Sequence, residues 1–501
     1  MAAHVGGSGA RAQVTPDARR WAVALAVLTS LHALTFLGTG PVDDEFIVYR
    51  YARNWLDGNG LVFNVGERVE GYTVPLWTLI CALGLAVGAA PAAWTVGIGI
   101  VLNAATAFLF GRAWGLDRGQ LFGLALALSP ALAWHAVGGL GTSLLALLLF
   151  GWFASYRRVL RLDASVLPAA CWLGAACLLR AEMVLFAAPW ILLEWRRCRG
   201  GLPLLALLPV ALWTGWRWSY YGRLLPVTYD VKKLPGLADV GYGLDYLLVA
   251  TAGTGFLILL PLALFGAWRA RGPWRAAERA AGCGLLLHTL YVVWVGGDYL
   301  PLARFLVPTL PLLYWLAARG AISTRGRAAT WVVVLVVLGV QWTQVLVRPD
   351  LRLWEEQHHE RWRAVGRELR RAAEPGTSVA LSPIGMIGYY SELPIVDVLG
   401  VTNTAVLEAD PDLGIGLKGH HRHDGAWVLS QEPDLVVPGN ALLESLDAGV
   451  ERVDLPWERS LWEAPEFAAN YEAYWMPIDA SDPLIFFLRR GSPRPRGARP
   501  L

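Results

Sequence analysis

Charge is scarce in this chain. Only 17% of the residues are Asp, Glu, Lys or Arg, where a soluble domain carries about a quarter, and that shortfall excludes an ordinary water-soluble globule. Lysine is nearly missing, with Lys232, Lys233 and Lys418 the only three. A formal net charge of +3 is too small to argue for a nucleic-acid partner. Cysteine is sparse too: Cys81, Cys171, Cys177 and Cys283 lie in apolar segments and Cys198 in a basic loop, and none falls after residue 347. The C-terminal region therefore has no disulfide of its own. The chain holds no Walker loop, no dinucleotide fingerprint behind a strand and no Ser or Cys nucleophile motif. It has no solenoid repeat either. No small-residue cleavage site follows the first apolar run, which reads as an uncleaved anchor.

What the chain has is hydrophobicity, 55% of its residues with a mean hydropathy of +0.42. Apolar runs at 21–38, 93–111, 120–137, 142–156, 165–179, 183–194, 201–216, 244–268, 281–296, 302–318 and 329–347 predict about 11 transmembrane segments. The fifth and sixth are short and flank Arg180 and Glu182, so they read as full crossings or as half-spans meeting at a polar point. Arginines between the runs, from Arg19 and Arg20 through Arg112, Arg118, Arg157, Arg158, Arg161, Arg196, Arg197, Arg199, Arg269 to Arg279 and Arg319 to Arg327, mark cytoplasmic loops. A further apolar run at 74–90 would reverse that parity if it crossed. It is therefore expected to be a juxtamembrane or re-entrant helix on the outer face. In that topology the acids at 43–45, His135, Arg180 with Glu182, the loop 217–243 and the turn 296–304 all reach the outer side.

Past the last run, charge and proline rise. A helix is predicted over 353–373 and strands over 378–381, 395–398, 435–437 and 485–488. The chain thus divides into a cytoplasmic N-terminal tail (1–20), a transmembrane domain (21–347) with an outer loop at 39–92, an extracytoplasmic soluble α/β domain (348–490), and a tail (491–501) expected to be disordered.

The outer loop holds the densest chemistry. VDDEFIVYRYARNWLDGNG sets Asp43, Asp44 and Glu45 side by side at the mouth of a membrane segment, where charge is costly unless it faces water or works. The stretch from Asp44 to Leu56 reads as an amphipathic helix that Gly58 and Gly60 stop. Two readings stand for the acids: a helix cap and dipole complement, or a reactive pair. Downstream, VGGDYLPLARF places Asp298 and Arg304 in a Gly- and Pro-punctuated turn, where they either pair with each other or hold a lipid-linked phosphate. WRWSYYGRLLPVTYDVKK brings Arg223, Lys232 and Lys233 among aromatics, an interfacial belt or an anionic-headgroup site. Arg180 and Glu182 form a local ion pair or finish a polar cavity. His135 reads as a core histidine, and His420, His421, His423 and Asp424 as a solvated loop without metal-ligand spacing.

Read together, DDEFIVYRYARNWLDGNGLVFNVGERVEGYTVPLW, GLGTSLLALLL, LLRAEM, YYGRLLPVTYDVKK, VVWVGGDYLPLARFLVP, IGMIGYYSELPIVDVLGVTN and GHHRHDGAWVLSQEPDLVV resemble the GT-C superfamily of polyprenyl-phosphate-sugar-dependent glycosyltransferases. The resemblance is greatest to the actinobacterial terminal β-(1→2) arabinofuranosyltransferases. It implies an α-helical polytopic membrane protein of GT-C type with an extracytoplasmic C-terminal domain, seated in the cytoplasmic membrane with its active site on the outer face. The implied partners are the lipid bilayer, a polyprenyl-phosphate sugar donor and a cell-envelope glycan acceptor, and inversion at the anomeric carbon is implied by the resemblance alone. Asp43 and Asp44 match the family's paired acids. Asp43 is the expected general base; Asp44 orients it or binds a divalent cation, Mg²⁺ or Mn²⁺. Arg304, Arg180, Lys232, Lys233 and Arg223 are expected at the donor phosphate, with Glu45, Arg50, Tyr72, His135, Glu182, Tyr221 and Asp298 lining or supporting the cavity. The family usually has a small residue where Glu45 stands, an acid at Gly141 and proline at Ala181. Rival readings are another GT-C enzyme, of the protein O-mannosyltransferase or lipid A aminosugar transferase type, and a non-catalytic transporter or scaffold.

Overall fold

The computed structural model describes residues 16–114, 119–198, 201–324, 327–413, 418–442, 455–478 and 481–501. Most of the expected N-terminal tail, with Arg11, and the loop residues Arg118, Arg199 and Arg325 lie outside the described residues. The membrane module runs α1 (Pro16–Leu34), α2 (Asp43–Leu56), α3 (Pro75–Ala86), α4 (Pro91–Trp114), α5 (Gln120–Ala127), α6 (Pro130–Gly138), α7 (Thr142–Leu162), α8 (Leu167–Leu179) and α9 (Val184–Cys198). It continues through α10 (Leu208–Tyr221), α11 (Val227–Lys232), α12 (Ala238–Thr254), α13 (Phe256–Trp268), α14 (Arg275–Val295), α15 (Leu310–Thr324) and α16 (Arg327–Val347).

Each apolar run read from the sequence falls on helix, but several runs are broken. By length and apolar composition, three helices among the described residues could cross a membrane, 91–114, 142–162 and 328–347, and two bent pairs raise the number to five. The pair α5 and α6 bends by 46° and the pair α12 and α13 by 91°. Proline causes the first break, because Pro130 has no N–H to give back to the preceding turn. At the second, Gly255 adopts a left-handed φ of +68°. The short α8 and α9 meet at Arg180, whose backbone is extended (φ −143°, ψ 114°). The run at 74–90 forms α3, whose 12 residues give about 18 Å of rise, too short for a hydrocarbon core of roughly 30 Å.

Helix α2 is amphipathic and packs its apolar face on α3 and the C-terminal domain. Phe46, Ile47, Tyr49 and Tyr51 are buried, and the three acids sit in its first turn, where the helix dipole favours negative charge. Its cap residue is Val42, without a side-chain bond, so Asp43 does not cap its own helix.

The C-terminal domain begins with α17 (Asp350–Ala372), which buries Trp362, Val365 and Leu369 against a sheet. That sheet is mixed. Its strands β1 (Val379–Leu381), β2 (Ile395–Asp397), β3 (Leu435–Val436), β4 (Tyr471–Ile478), β5 (Ser481–Arg489) and β6 (Arg499–Pro500) lie in the order β2-β1-β3-β5-β4-β6. Pairing is parallel from β1 to β2 and β3, and antiparallel elsewhere. Helix α18 (Ile384–Ser391) follows β1 and packs on both α2 and α17.

The tail corrects an expectation. Composition marks 491–501 as disordered, yet Arg499 and Pro500 pair with Trp475 and Tyr474, Ala498 is buried, and the Arg499 guanidinium lies 5.4 Å over the Trp475 ring. The domain continues to Leu501, whose N–H donates to the Ala473 carbonyl at 3.0 Å.

Candidate active site

A cavity of about 800 Å³ opens between the helical module and the C-terminal domain. Its lining mixes apolar residues, among them Ile47, Val48, Leu178, Val210, Leu225 and Leu300, with the charged Asp43, Asp44, Arg180, Lys232, Lys233 and Arg304.

The paired acids enter on α2 and take different partners. Asp43 reaches across to the C-terminal domain, where its carboxylate accepts the Gly385 N–H at 3.0 Å and the Met386 N–H at 2.6 Å. These amides open α18, so Asp43 occupies that helix's positive end. Burial pushes the Asp43 carboxyl up to about 6; the Met386 N–H pulls it down and the neighbouring Asp44 charge adds to the rise. Asp44 points the other way, accepting the Tyr299 hydroxyl at 3.2 Å and standing 3.7 Å from the Arg304 guanidinium.

The domain contact at Asp43 is close enough to test. A Cβ on Gly385 would lie 2.0 Å from the Asp43 carbonyl oxygen, so alanine there must push the two domains apart. Overpacking of this kind costs about 1–3 kcal/mol. Gly385→Ala is expected to lower the Tm by several degrees and turnover by at least about tenfold. Wild-type Tm and rate together would show that the contact gives way freely.

Glu45, the third acid, leaves the cavity. It accepts the Trp77 indole N–H at 2.8 Å, the Thr95 hydroxyl at 2.9 Å and the Leu140 N–H at 2.7 Å. It thereby ties α2 to α3, α4 and the turn before α7. Burial pushes its carboxyl up to about 7, with the Leu140 amide the largest opposing influence. Arg50 is likewise structural, donating to the carbonyls of Phe63, Gly388 and Leu393 at 2.7 Å each. Both support the site from behind.

The cations sort into paired and unpaired. Arg304 is 2.6 Å from Asp298 through Nε; burial opposes its charge, but Asp298 and Asp44 outweigh burial and raise its pKa. Arg180 pairs with Glu182 at 2.8 Å, so here the ion-pair and cavity readings hold together. Arg223 binds Asp230 and is not among the cavity residues, which removes it from the expected phosphate set. Lys232 and Lys233 line the cavity with no carboxylate partner among the described residues; their ammonium groups face aromatic rings, Tyr299 at 5.7 Å and Trp294 at 4.8 Å.

Tyr72 lines the cavity and lies 3.3 Å from the Tyr221 hydroxyl, which donates to the Leu61 carbonyl at 2.6 Å. Tyr221 is thus support rather than lining. His135 contacts the Pro301 carbonyl at 3.1 Å beneath the 296–304 turn, as a core histidine would.

Sequence reasoning missed residues that the C-terminal domain supplies: Ser382, Asn440, Trp457, Lys418 and His420 all line the cavity. The loop read as solvated is packed, with His421 buried and 3.1 Å from the Tyr242 hydroxyl. His420 sits between Tyr299 and Trp457, ring centroids 5.3 and 4.9 Å away, and burial drops its pKa to about 4. Lys418 had one signal, its rarity. Among the described residues no group of three or more His, Cys, Asp or Glu side chains converges to hold a metal. Asp44 faces Tyr299 and Arg304 instead, so these residues do not fit a protein-held divalent cation.

Comparison with known proteins adds three findings. A family model described as a domain of unknown function (DUF8728) matches residues 349–484. A terminal β-(1→2)-arabinofuranosyltransferase of Corynebacterium glutamicum is 30% identical over 369 residues, 60% of this chain and 52% of the relative. One of the same name from Mycobacterium tuberculosis is 32% identical over 228 residues, 39% of this chain and 35% of the relative. The chain thus spans about half the length, or less, of the curated relatives it matches. ArnT from Cupriavidus metallidurans, solved bound to undecaprenyl phosphate, superposes with a TM-score of 0.52 at 15% identity, over 75% of this chain and 86% of ArnT. Its apo structure gives 0.50 at 16% identity. The fold is that of ArnT, and the relatives carry the name that the sequence motifs resemble.

Proposed function

We propose that this chain is a GT-C membrane glycosyltransferase that moves a sugar, arabinofuranose by the resemblance, from a polyprenyl phosphate to a cell-envelope glycan on the outer face of the cytoplasmic membrane. One observation carries the reading. The cavity joins apolar lining residues, two adjacent carboxylates and two lysines that have no carboxylate partner among the described residues, which is what a lipid-linked anionic donor and a base-assisted transfer require together.

In this mechanism Asp43 takes the acceptor hydroxyl proton as the anomeric bond to phosphate breaks. A base serves best when its pKa lies near the working pH, and burial has moved the Asp43 carboxyl to about 6. Asp44, fixed by Tyr299 and Arg304, orients the pair and keeps Arg304 at the reacting end. The leaving phosphate is met by Lys232 and Lys233, which have no carboxylate partner among the described residues. Phosphate is already a reasonable leaving group, so fixed positive charge matters more than a dedicated acid.

Incubating the purified protein with labelled decaprenyl-phosphate sugars and arabinan oligosaccharides tests the reaction. Label on the glycan supports it; no transfer from any polyprenyl-phosphate sugar overturns it. Orientation has its own test, because alkaline phosphatase fused just after residue 348 should be active. A silent phosphatase beside a bright cytoplasmic reporter would turn the site to the other face.

A further inference from the structure

The chain's three lysines line the same cavity: the adjacent Lys232 and Lys233 from the membrane module and Lys418, 186 residues beyond Lys232, from the C-terminal domain. Unlike the other two, Lys418 is spent on the protein. It is buried, its ammonium forms an ion pair with buried Asp239 at the start of α12, and it donates to the Lys232 carbonyl at 2.5 Å. The Asp239 carboxylate also accepts the Leu234 N–H at 3.1 Å, gripping the chain just beyond Lys233.

The two residues after Lys418 continue the contact. A Cβ on Gly419 would touch Cγ, Cδ and Cε of Lys232 at 3.3–3.4 Å, so the aliphatic stem of Lys232 lies against this backbone. The His420 ring stands edge-on to Tyr299, the residue whose hydroxyl bonds Asp44. The 296–304 turn closes over the pair: a Cβ on Gly296 would meet Lys418 Cε at 2.8 Å.

We propose that Lys418 is a positioning residue for anion recognition: through Asp239 and the Lys232 carbonyl it holds the Lys232 ammonium in the place where a lipid-linked phosphate binds. The idea rests on the glycosyltransferase reading and extends it to a residue of the C-terminal domain. A buried ion pair is weak evidence of stability in itself, but a fixed carbonyl next to the working side chain gives this one a geometric task. Lysine at 232 is otherwise a flexible four-carbon stem whose freedom must be lost on binding.

Binding of undecaprenyl phosphate to the purified full-length protein is the test, followed in four proteins: wild type, Lys418→Met, Lys232→Met and the double variant. Lys418→Met is expected to weaken binding about tenfold, and to add less than about twofold once Lys232 is already Met, because coupled residues are non-additive. Lys418→Arg, which can keep the Asp239 contact, should recover most of the loss. Equal losses from Lys418→Met in both backgrounds, or no loss in either, would overturn the proposal. If Lys418→Met does not fold, Asp239→Asn, which keeps side-chain size and removes the charge holding Lys418, carries the same expectation and the same refutation. A wild-type protein that fails to bind undecaprenyl phosphate would instead sink the functional reading, and this inference with it.

Discussion

Asp43→Asn is expected to lower turnover about 10²- to 10⁴-fold, the usual contribution of a positioned base, while Tm and donor binding stay close to wild type. The separation is possible because Asn caps a helix about as well as Asp does: its one amide oxygen can keep the shorter bond, from the Met386 N–H, although the Gly385 N–H, which bonds the other carboxylate oxygen, loses its acceptor. What Asn cannot do is accept a proton. The wild-type rate should also show an acid limb. Burial raises the Asp43 carboxyl from 3.8 to about 6, so the base is protonated and silent below that pH and active above it. Both outcomes are read from pH profiles of kcat/KM. A variant with near-native turnover, or a wild-type limb near 4, would leave Asp43 as no more than the cap of α18.

Replacing Lys232 and Lys233 together by methionine should raise the KM for the polyprenyl-phosphate donor about 10- to 100-fold. A hydrogen bond to a charged group is worth about 1.5–3 kcal/mol, and 1.36 kcal/mol is a factor of ten. Arg180 and Arg304 are held at 2.8 and 2.6 Å by Glu182 and Asp298, so their charge is largely answered before any ligand arrives. The order of effects is therefore informative. Arg304→Ala should disturb Asp44 and turnover more than donor affinity, whereas the lysine pair should act chiefly on affinity. Donor binding lost in Arg304→Ala and preserved without the lysines would reverse the assignment.

The sequence made the helices legible and hid most of their breaks, that at Arg180 excepted. Hydropathy located every apolar segment, since a long run of aliphatic residues admits little else. The 91° bend at Gly255 rests on a single backbone conformation that leaves no periodic trace. The acids at 43–45 stood out because charge beside an apolar run is expensive, but their division of labour did not. Asp43 finds its partners 342 and 343 residues away, and no local spacing encodes such a contact. The same distance concealed His420 and Lys418, whose surroundings read as an ordinary polar loop. At the C-terminus, GSPRPRGARPL has the composition of a disordered tail, and only its two-residue pairing with β4 and the burial of Ala498 show otherwise.

The attachment of Asp43 to the start of α18 bears on how a newly made chain comes to life. Synthesis delivers Asp43 first, and Gly385 and Met386 only after the whole membrane module has been made. Until α18 has folded against α2, the carboxyl stays solvated, with an ordinary acidity and no fixed direction. Lys232, likewise, waits for Lys418. In the proposed mechanism reactivity thus switches on at the end of assembly, and a chain interrupted before residue 385 is expected to lack the contact that fixes Asp43.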